Sequence, residues 1–164
     1  IWFEVPAEAC APPAPAVADT TAARSIESVR VLVAEDNATN RLVIGKILGL
    51  AGVKPVFAED GAAAVEIAET QAFDVVLMDV RMPVMDGLEA TRRIRASRGP
   101  NARAPIVALT ANVTIEDRAG CYAAGMTGFV PKPIQPQLLF DALAEALAEG
   151  PTGAGAGAGR ISAV

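Results

Sequence analysis

Glu35, Asp36, Asp79, Thr110 and Lys132 each stand at or just past the end of a short apolar run, in a chain of 164 residues that contains no histidine. Without an imidazole the sequence offers no Ser-His or Cys-His nucleophile pair, no HExxH zinc helix and no histidine phosphodonor. Proton or phosphoryl chemistry here must run on carboxylates, hydroxyls and lysine. If the apolar runs are parallel strands, their carboxyl ends lie side by side, where open α/β sheets bind ligands. Three carboxylates, one hydroxyl and one ammonium then converge in a single crevice. Carboxylates that close repel one another. A divalent metal relieves the repulsion, and an all-oxygen ligand set suits Mg²⁺ better than Zn²⁺. With the metal and Lys132 present, formal charge nearly cancels. Such a site is suited to accept a phosphoryl group as an aspartyl phosphate. Asp79, projecting from the central run, is the best nucleophile, with Glu35 and Asp36 as metal holders. Lys132 would neutralise charge on the transferred group, and Thr110 would donate to an acceptor that exists only after phosphorylation.

The elements that must position these groups lie within residues 29–149. Val31-Leu32-Val33-Ala34, Val56-Phe57-Ala58, Val75-Val76-Leu77-Met78, Ile106-Val107-Ala108-Leu109 and Phe129-Val130 are apolar on both faces, as strands buried in a parallel sheet are. Between them a 3.6-residue period predicts helices: Val43, Ile44, Ile47, Leu48 and Ala51 stripe the first. Leu138, Leu139, Ala142, Leu143, Ala146 and Leu147 stripe the last. Asp60 reads as the N-cap of a helix over 61–70, and Asp86-Gly87 opens the next. Gly52 and Gly99 read as helix ends. Pro105 fits only the start of its strand and Pro136 only the first turn of the last helix. Thr110 has a second reading as a helix cap. The predicted fold class is α/β: a (βα)5 doubly wound, five-stranded parallel sheet with right-handed crossovers.

Composition excludes several classes. A net charge of −5 argues against a nucleic-acid surface, and the cluster Arg92, Arg93, Arg95 and Arg98 reads as a solvated helix face. No apolar run reaches the roughly 18–20 residues of a membrane helix, so no direct membrane contact is expected. Cys10 and Cys121 have neither disulfide-framework nor metal-ligand spacing, which suits a reducing, cytoplasmic setting. Cys121, Met78, Met82 and Met85 read as packing residues. Pro6, Pro12, Pro13 and Pro15 mark 7–28 as a Pro/Ala-rich linker, and 150–164 read as a Gly/Ala-rich flexible tail. The opening Ile-Trp-Phe-Glu-Val-Pro has no basic n-region, so it is read as part of a longer protein and not as a signal peptide.

Four segments in order now resemble a family: Val31-Leu32-Val33-Ala34-Glu35-Asp36-Asn37, Met78-Asp79-Val80-Arg81-Met82-Pro83-Val84-Met85-Asp86-Gly87, Leu109-Thr110-Ala111 and Phe129-Val130-Pro131-Lys132-Pro133. They are similar to the receiver domains of two-component response regulators. The resemblance spans 29–149. It implies a flavodoxin-like sheet of order 2-1-3-4-5, phosphorylation at Asp79, and Mg²⁺ held by Glu35, Asp36, Asp79 and the backbone carbonyl of Arg81. Lys132 would contact the phosphoryl group. Thr110 and Phe129 match a coupled switch pair, although Phe129 lacks the phenol common there. The Lys132–Pro133 bond would be cis. Ala111 leaves room for the donor to approach, and Ala111 and Pro133 would take part in signalling contacts, with output through about 112–149.

Glu35-Asp36-Asn37-Ala38-Thr39-Asn40 resembles the DNxxN opening of receivers attached to hybrid sensor histidine kinases. Residues 1–6 look like the closing strand of a kinase ATP-binding domain. The implied partners are a kinase dimerisation domain carrying phosphohistidine, in cis or trans, and a histidine phosphotransfer protein. The parent kinase could be membrane-anchored. On this reading the fragment has no kinase core and catalyses only its own aspartyl phosphorylation and dephosphorylation. The rival reading is a receiver-shaped interaction module that regulates a kinase without cycling phosphate. A haloacid-dehalogenase-type hydrolase would place DxDxT after the first strand, and a nicotinamide site would need GxGxxG there; neither is present.

Overall fold

The structure, a computed structural model, describes residues 28–149. Five strands and five helices alternate: β1 (Val31–Ala34), α1 (Ala38–Leu50), β2 (Val56–Ala58), α2 (Gly61–Thr70), β3 (Val75–Asp79), α3 (Gly87–Ala96), β4 (Ile106–Thr110), α4 (Ile115–Ala124), β5 (Gly128–Pro131) and α5 (Pro136–Glu149). All strand pairs are parallel and the order is β2-β1-β3-β4-β5, as the resemblance implied. The reading of 1–6, 7–27 and 150–164 falls outside the described residues.

Alternation along the buried strands divides the core into two layers. Val31, Val33, Leu77, Val107, Leu109 and Val130 face α1 and α5, where they meet Ile44, Ile47, Leu48, Leu139, Leu143 and Ala146. Leu32, Ala34, Val76, Met78, Ile106 and Ala108 face the other way, onto Ala64, Ala68, Ala90, Ile94 and Cys121 of α2, α3 and α4. Small residues on that side let three helices lie over the sheet. The helical stripes narrow to these buried positions, since Val43 and Leu138 are exposed. β2 departs from the both-faces-apolar expectation because it is an edge strand, and Phe57 reaches solvent.

Asp60 caps α2 by accepting from Ala63 N at 2.8 Å, and Asp86 caps α3 by accepting from Glu89 N at 2.8 Å. Pro136 opens α5 and Pro105 immediately precedes β4, as read from sequence. Gly52 follows the end of α1 with φ 76°. Gly99 does not close α3: Ser97 is the cap, in an extended conformation, and its N–H bonds Arg93 O. Gly125 after α4 is a second left-handed helix end, with φ 103°. Nor does Thr110 cap α4; Thr114 does, accepting from Asp117 N.

Two side chains that sequence reasoning passed over or misread tie the bottom of the sheet together. Arg95 is half-buried, not part of a solvated face: its guanidinium donates to the carbonyls of Gly125, Asn101, Ala102 and Ala104. Arg92 and Arg93, by contrast, are exposed and pair with Glu89. Asn101 is buried; its amide donates to Ala68 O and Gln71 O at 2.6 Å each and accepts from Phe73 N at 2.8 Å. Asn101→Ala deprives three backbone groups of their partner, two of them in buried bonds, so chemical denaturation should show a loss of about 2–3 kcal/mol. A loss below about 0.5 kcal/mol would mean that water or a rearranged loop serves those groups equally well.

Candidate functional site

At the carboxyl edge of the sheet, a cleft of about 190 Å³ is lined by Glu35, Asp36, Asp79, Thr110, Ala111 and Lys132, among others. β1, β3 and β4 end there together because their register aligns Ala34 with Met78 and Asp79 with Leu109. β5 pairs Pro131 with Thr110, which sets Lys132 one residue beyond the sheet; Lys132 N bonds Thr110 O at 2.8 Å. Ligand atoms of Glu35, Asp36 and Asp79 all lie within 4.8 Å of one another. All the residues predicted for chemistry therefore meet in one place.

The charges are close and partly buried. Lys132 Nζ is 2.7 Å from Asp79 Oδ2 and 2.8 Å from Glu35 Oε2. Asp79 Oδ1 accepts from Arg81 N at 3.0 Å. Burial raises the Asp79 pKa above its ordinary value, against the pull of Lys132 and the Arg81 N–H; Glu35 adds to the rise. Burial opposes the charge on Lys132, yet its bonds to Asp79 and Glu35 win and hold its pKa above the usual lysine range. Lys132 stays an ammonium.

Glu35 is fully buried. Its Oε1 accepts from Asn40 Nδ2 at 2.9 Å and from Asn37 N at 3.3 Å. Among the described residues its Oε2 has a single partner, the Lys132 ammonium at 2.8 Å. A buried oxygen left in that state, beside two further carboxylates, fits a divalent cation with hard oxygen ligands. The donor set contains no sulfur or imidazole and matches Mg²⁺ better than Zn²⁺.

The Thr110 hydroxyl is turned toward the loop that follows, donating to Asn112 O at 2.6 Å and accepting from Asn112 N at 3.2 Å. Ala111 is exposed at the rim. Phe129 lies away from the cleft, half-buried against the α2–α4 layer, with the Arg118 guanidinium 4.1 Å from its ring centroid. The Lys132–Pro133 bond is cis and Pro133 is exposed. Sequence reasoning missed the supports. Asn40 and Arg41 belong to the first turn of α1, and Arg41 donates to the carbonyls of Glu35 and Asp36 at 2.9 and 3.0 Å while pairing with Glu59. The only earlier signal was the DNxxN spacing.

Residues 31–144 match the family model of the response regulator receiver domain. The chain is 40% identical over 117 residues to the sensor protein GacS of Pseudomonas syringae pv. syringae, covering 70% of this chain and 13% of that protein. Thus it spans only a small part of that relative. The crystal structure of the receiver domain of the sensor histidine kinase PA1611 from Pseudomonas aeruginosa, with a magnesium ion coordinated in its active-site cleft, superposes with a TM-score of 0.68. The two are 41% identical, over 73% of this chain and 98% of that one. The receiver domain of Ssk1, in a co-crystal with the histidine phosphotransfer protein Ypd1 of Saccharomyces cerevisiae, matches with a TM-score of 0.67 and 27% identity, over 74% of this chain and 90% of that one. Sheet order, cleft and sequence agree: the chain belongs to the response regulator receiver domain family, and its similar relatives include receivers of histidine kinases.

Proposed function

We propose that this domain, residues 29–149, accepts a phosphoryl group from a phosphohistidine onto Asp79 and relays or reports it within a phosphorelay of hybrid-kinase type. The observation that carries the reading is the buried Asp79 carboxylate, held by Lys132 and the Arg81 N–H beside Glu35 and Asp36. In the transfer, an Asp79 oxygen attacks phosphorus, the P–N bond breaks, and its electron pair leaves on the imidazole nitrogen. Lys132, already ionised and aimed at Asp79, places positive charge where the phosphoryl oxygens gather. Arg81 N fixes the other carboxylate oxygen. Mg²⁺, bound by Glu35, Asp36, Asp79 and the Arg81 carbonyl, would supply further charge neutralisation at the acceptor.

Thr110 would give up its bond to Asn112 for the acyl phosphate, and Phe129 would follow into the space released. Ala111, exposed at the rim, leaves room for the donor, and Ala111 and the exposed Pro133 would take part in signalling contacts. Output would pass through 112–149, where Ile115 and Tyr122 are exposed apolar groups. The donors are a kinase dimerisation domain or a histidine phosphotransfer protein, in a cytoplasmic setting. No helix among the described residues is long and apolar enough to cross a membrane.

Intact mass after exposure to acetyl phosphate, with Mg²⁺ or with EDTA, tests this. The expected result is a gain of one phosphoryl group that requires Mg²⁺ and that borohydride reduction, which converts an acyl phosphate to an alcohol, maps to residue 79. No gain from folded, Mg²⁺-bound protein would instead make the domain a receiver-shaped interaction module.

A further inference from the structure

Glu35 divides its two oxygens between different tasks, and one residue enforces the division. Oε1 is bound to the start of α1 by the Asn40 amide and the Asn37 N–H, whereas Oε2 meets only the ammonium of Lys132, which lines the cleft with it, at 2.8 Å. A carboxylate only accepts, so the Asn40 group facing it at 2.9 Å must be the NH₂. Asn40 is the third residue of α1, the position from which a capping-box side chain reaches back to the N-cap N–H. Here that reach is diverted. The Asn37 N–H and the Asn40 side chain both turn to Glu35, while the Asn37 side-chain oxygen Oδ1 accepts from Thr39 N and Asn40 N at 2.9 and 3.4 Å.

Without Asn40, Oε1 of Glu35 keeps only the long bond from Asn37 N. Its carboxylate is then free to rotate and offer both oxygens to the Lys132 ammonium 2.8 Å away. Both would be withdrawn from a cation by a better-formed ion pair. We propose that Asn40 is a positioning residue for the divalent-cation site, acting by holding Glu35 so that Oε2 stays presented to the cleft. This rests on the reading of the cleft as a Mg²⁺ site.

Calorimetric Mg²⁺ titration of the whole chain tests it, with no phosphorylation involved. Asn40→Ala and the near-isosteric Asn40→Leu should each weaken Mg²⁺ binding about ten-fold, the lower end of what loss of a ligand-orienting partner produces. Asn101→Ala, which weakens the fold far from the cleft, serves as the control and should leave Mg²⁺ affinity within two-fold of wild type. Asn40 variants that bind Mg²⁺ within two-fold of wild type overturn the proposal. So does an equal loss in Asn101→Ala, which would show that general destabilisation is responsible. Failure of the wild type itself to bind Mg²⁺ would overturn the metal reading instead, and the proposal with it.

Discussion

Asp79→Asn should abolish the acetyl-phosphate mass gain completely and, in EDTA, should raise the melting temperature. The first effect follows from removing the carboxylate that ends a central strand and contacts both Lys132 and the Arg81 N–H. The second follows from the charge count. In the absence of metal, Lys132 alone answers two buried carboxylates, Asp79 and Glu35. Asparagine leaves one ammonium with one carboxylate, a balanced pair. A gain of about 1 kcal/mol corresponds to a rise of roughly 4 °C in a domain of this size.

The pH dependence carries a definite sign. Burial raises the Asp79 pKa in the folded protein, so between the ordinary carboxylate value and the raised one the native state binds the extra proton. The Asp79 contribution to stability is therefore fully present below the ordinary value and is lost as pH rises through the raised one. The advantage of Asp79→Asn should be largest near neutral pH and shrink on acidification through that window. Thermal melts at several pH values in EDTA provide the check. An asparagine variant less stable than wild type at neutral pH would mean that the Lys132–Asp79 pair outweighs the carboxylate repulsion.

What was legible in the sequence divides along physical lines. Short strands buried on both faces announce themselves as continuous apolar runs, so β1, β3 and β4 and the residues ending them could be placed without coordinates. Five polar groups at strand ends then sufficed for the cleft. The edge strand β2 was less well read, because edge position is a property of topology and not of the run itself. Arg95 was misjudged for a related reason. Helical spacing puts it among other arginines, and only the return of the chain at Gly125 and at 101–104 gives its guanidinium four carbonyls to bind. Asn101 and Asn40 likewise look like ordinary polar residues until distant backbone or a buried carboxylate is brought to them. Thr114 rather than Thr110 caps α4 because β4 runs through Thr110 and three loop residues intervene before the cap, a boundary shift that periodicity does not resolve.

Gly87 shows most directly how closely the fold is built around the phosphoacceptor position. The Asp86-Gly87 pair is legible as a helix start, but that role would tolerate alanine. In the structure the first turn of α3 rests on the backbone of Asp79: a Cβ at Gly87 would overlap the Asp79 carbonyl oxygen and come within 3.0 Å of Met78 Cγ. The obstruction is backbone in the central strand, which cannot yield as a flexible side chain can. Gly87 N also bonds Val80 O, so the turn cannot back away without breaking the loop that joins β3 to α3. Gly87→Ala should cost more than about 4 kcal/mol, in the range reserved for severe packing errors. Gly120 provides the contrast within the same fold, since it lies in α4 and a Cβ there meets nothing within 4 Å. Gly120→Ala should stabilise by about 0.5–1 kcal/mol through helix propensity alone. Urea denaturation of the two variants decides the matter. If Gly87→Ala unfolds at the wild-type midpoint, α3 does not press on the Asp79 backbone as described. If it is strongly destabilised while Gly120→Ala gains, the glycine serves the close approach of α3 to the strand that carries the phosphoacceptor, and not merely the start of a helix.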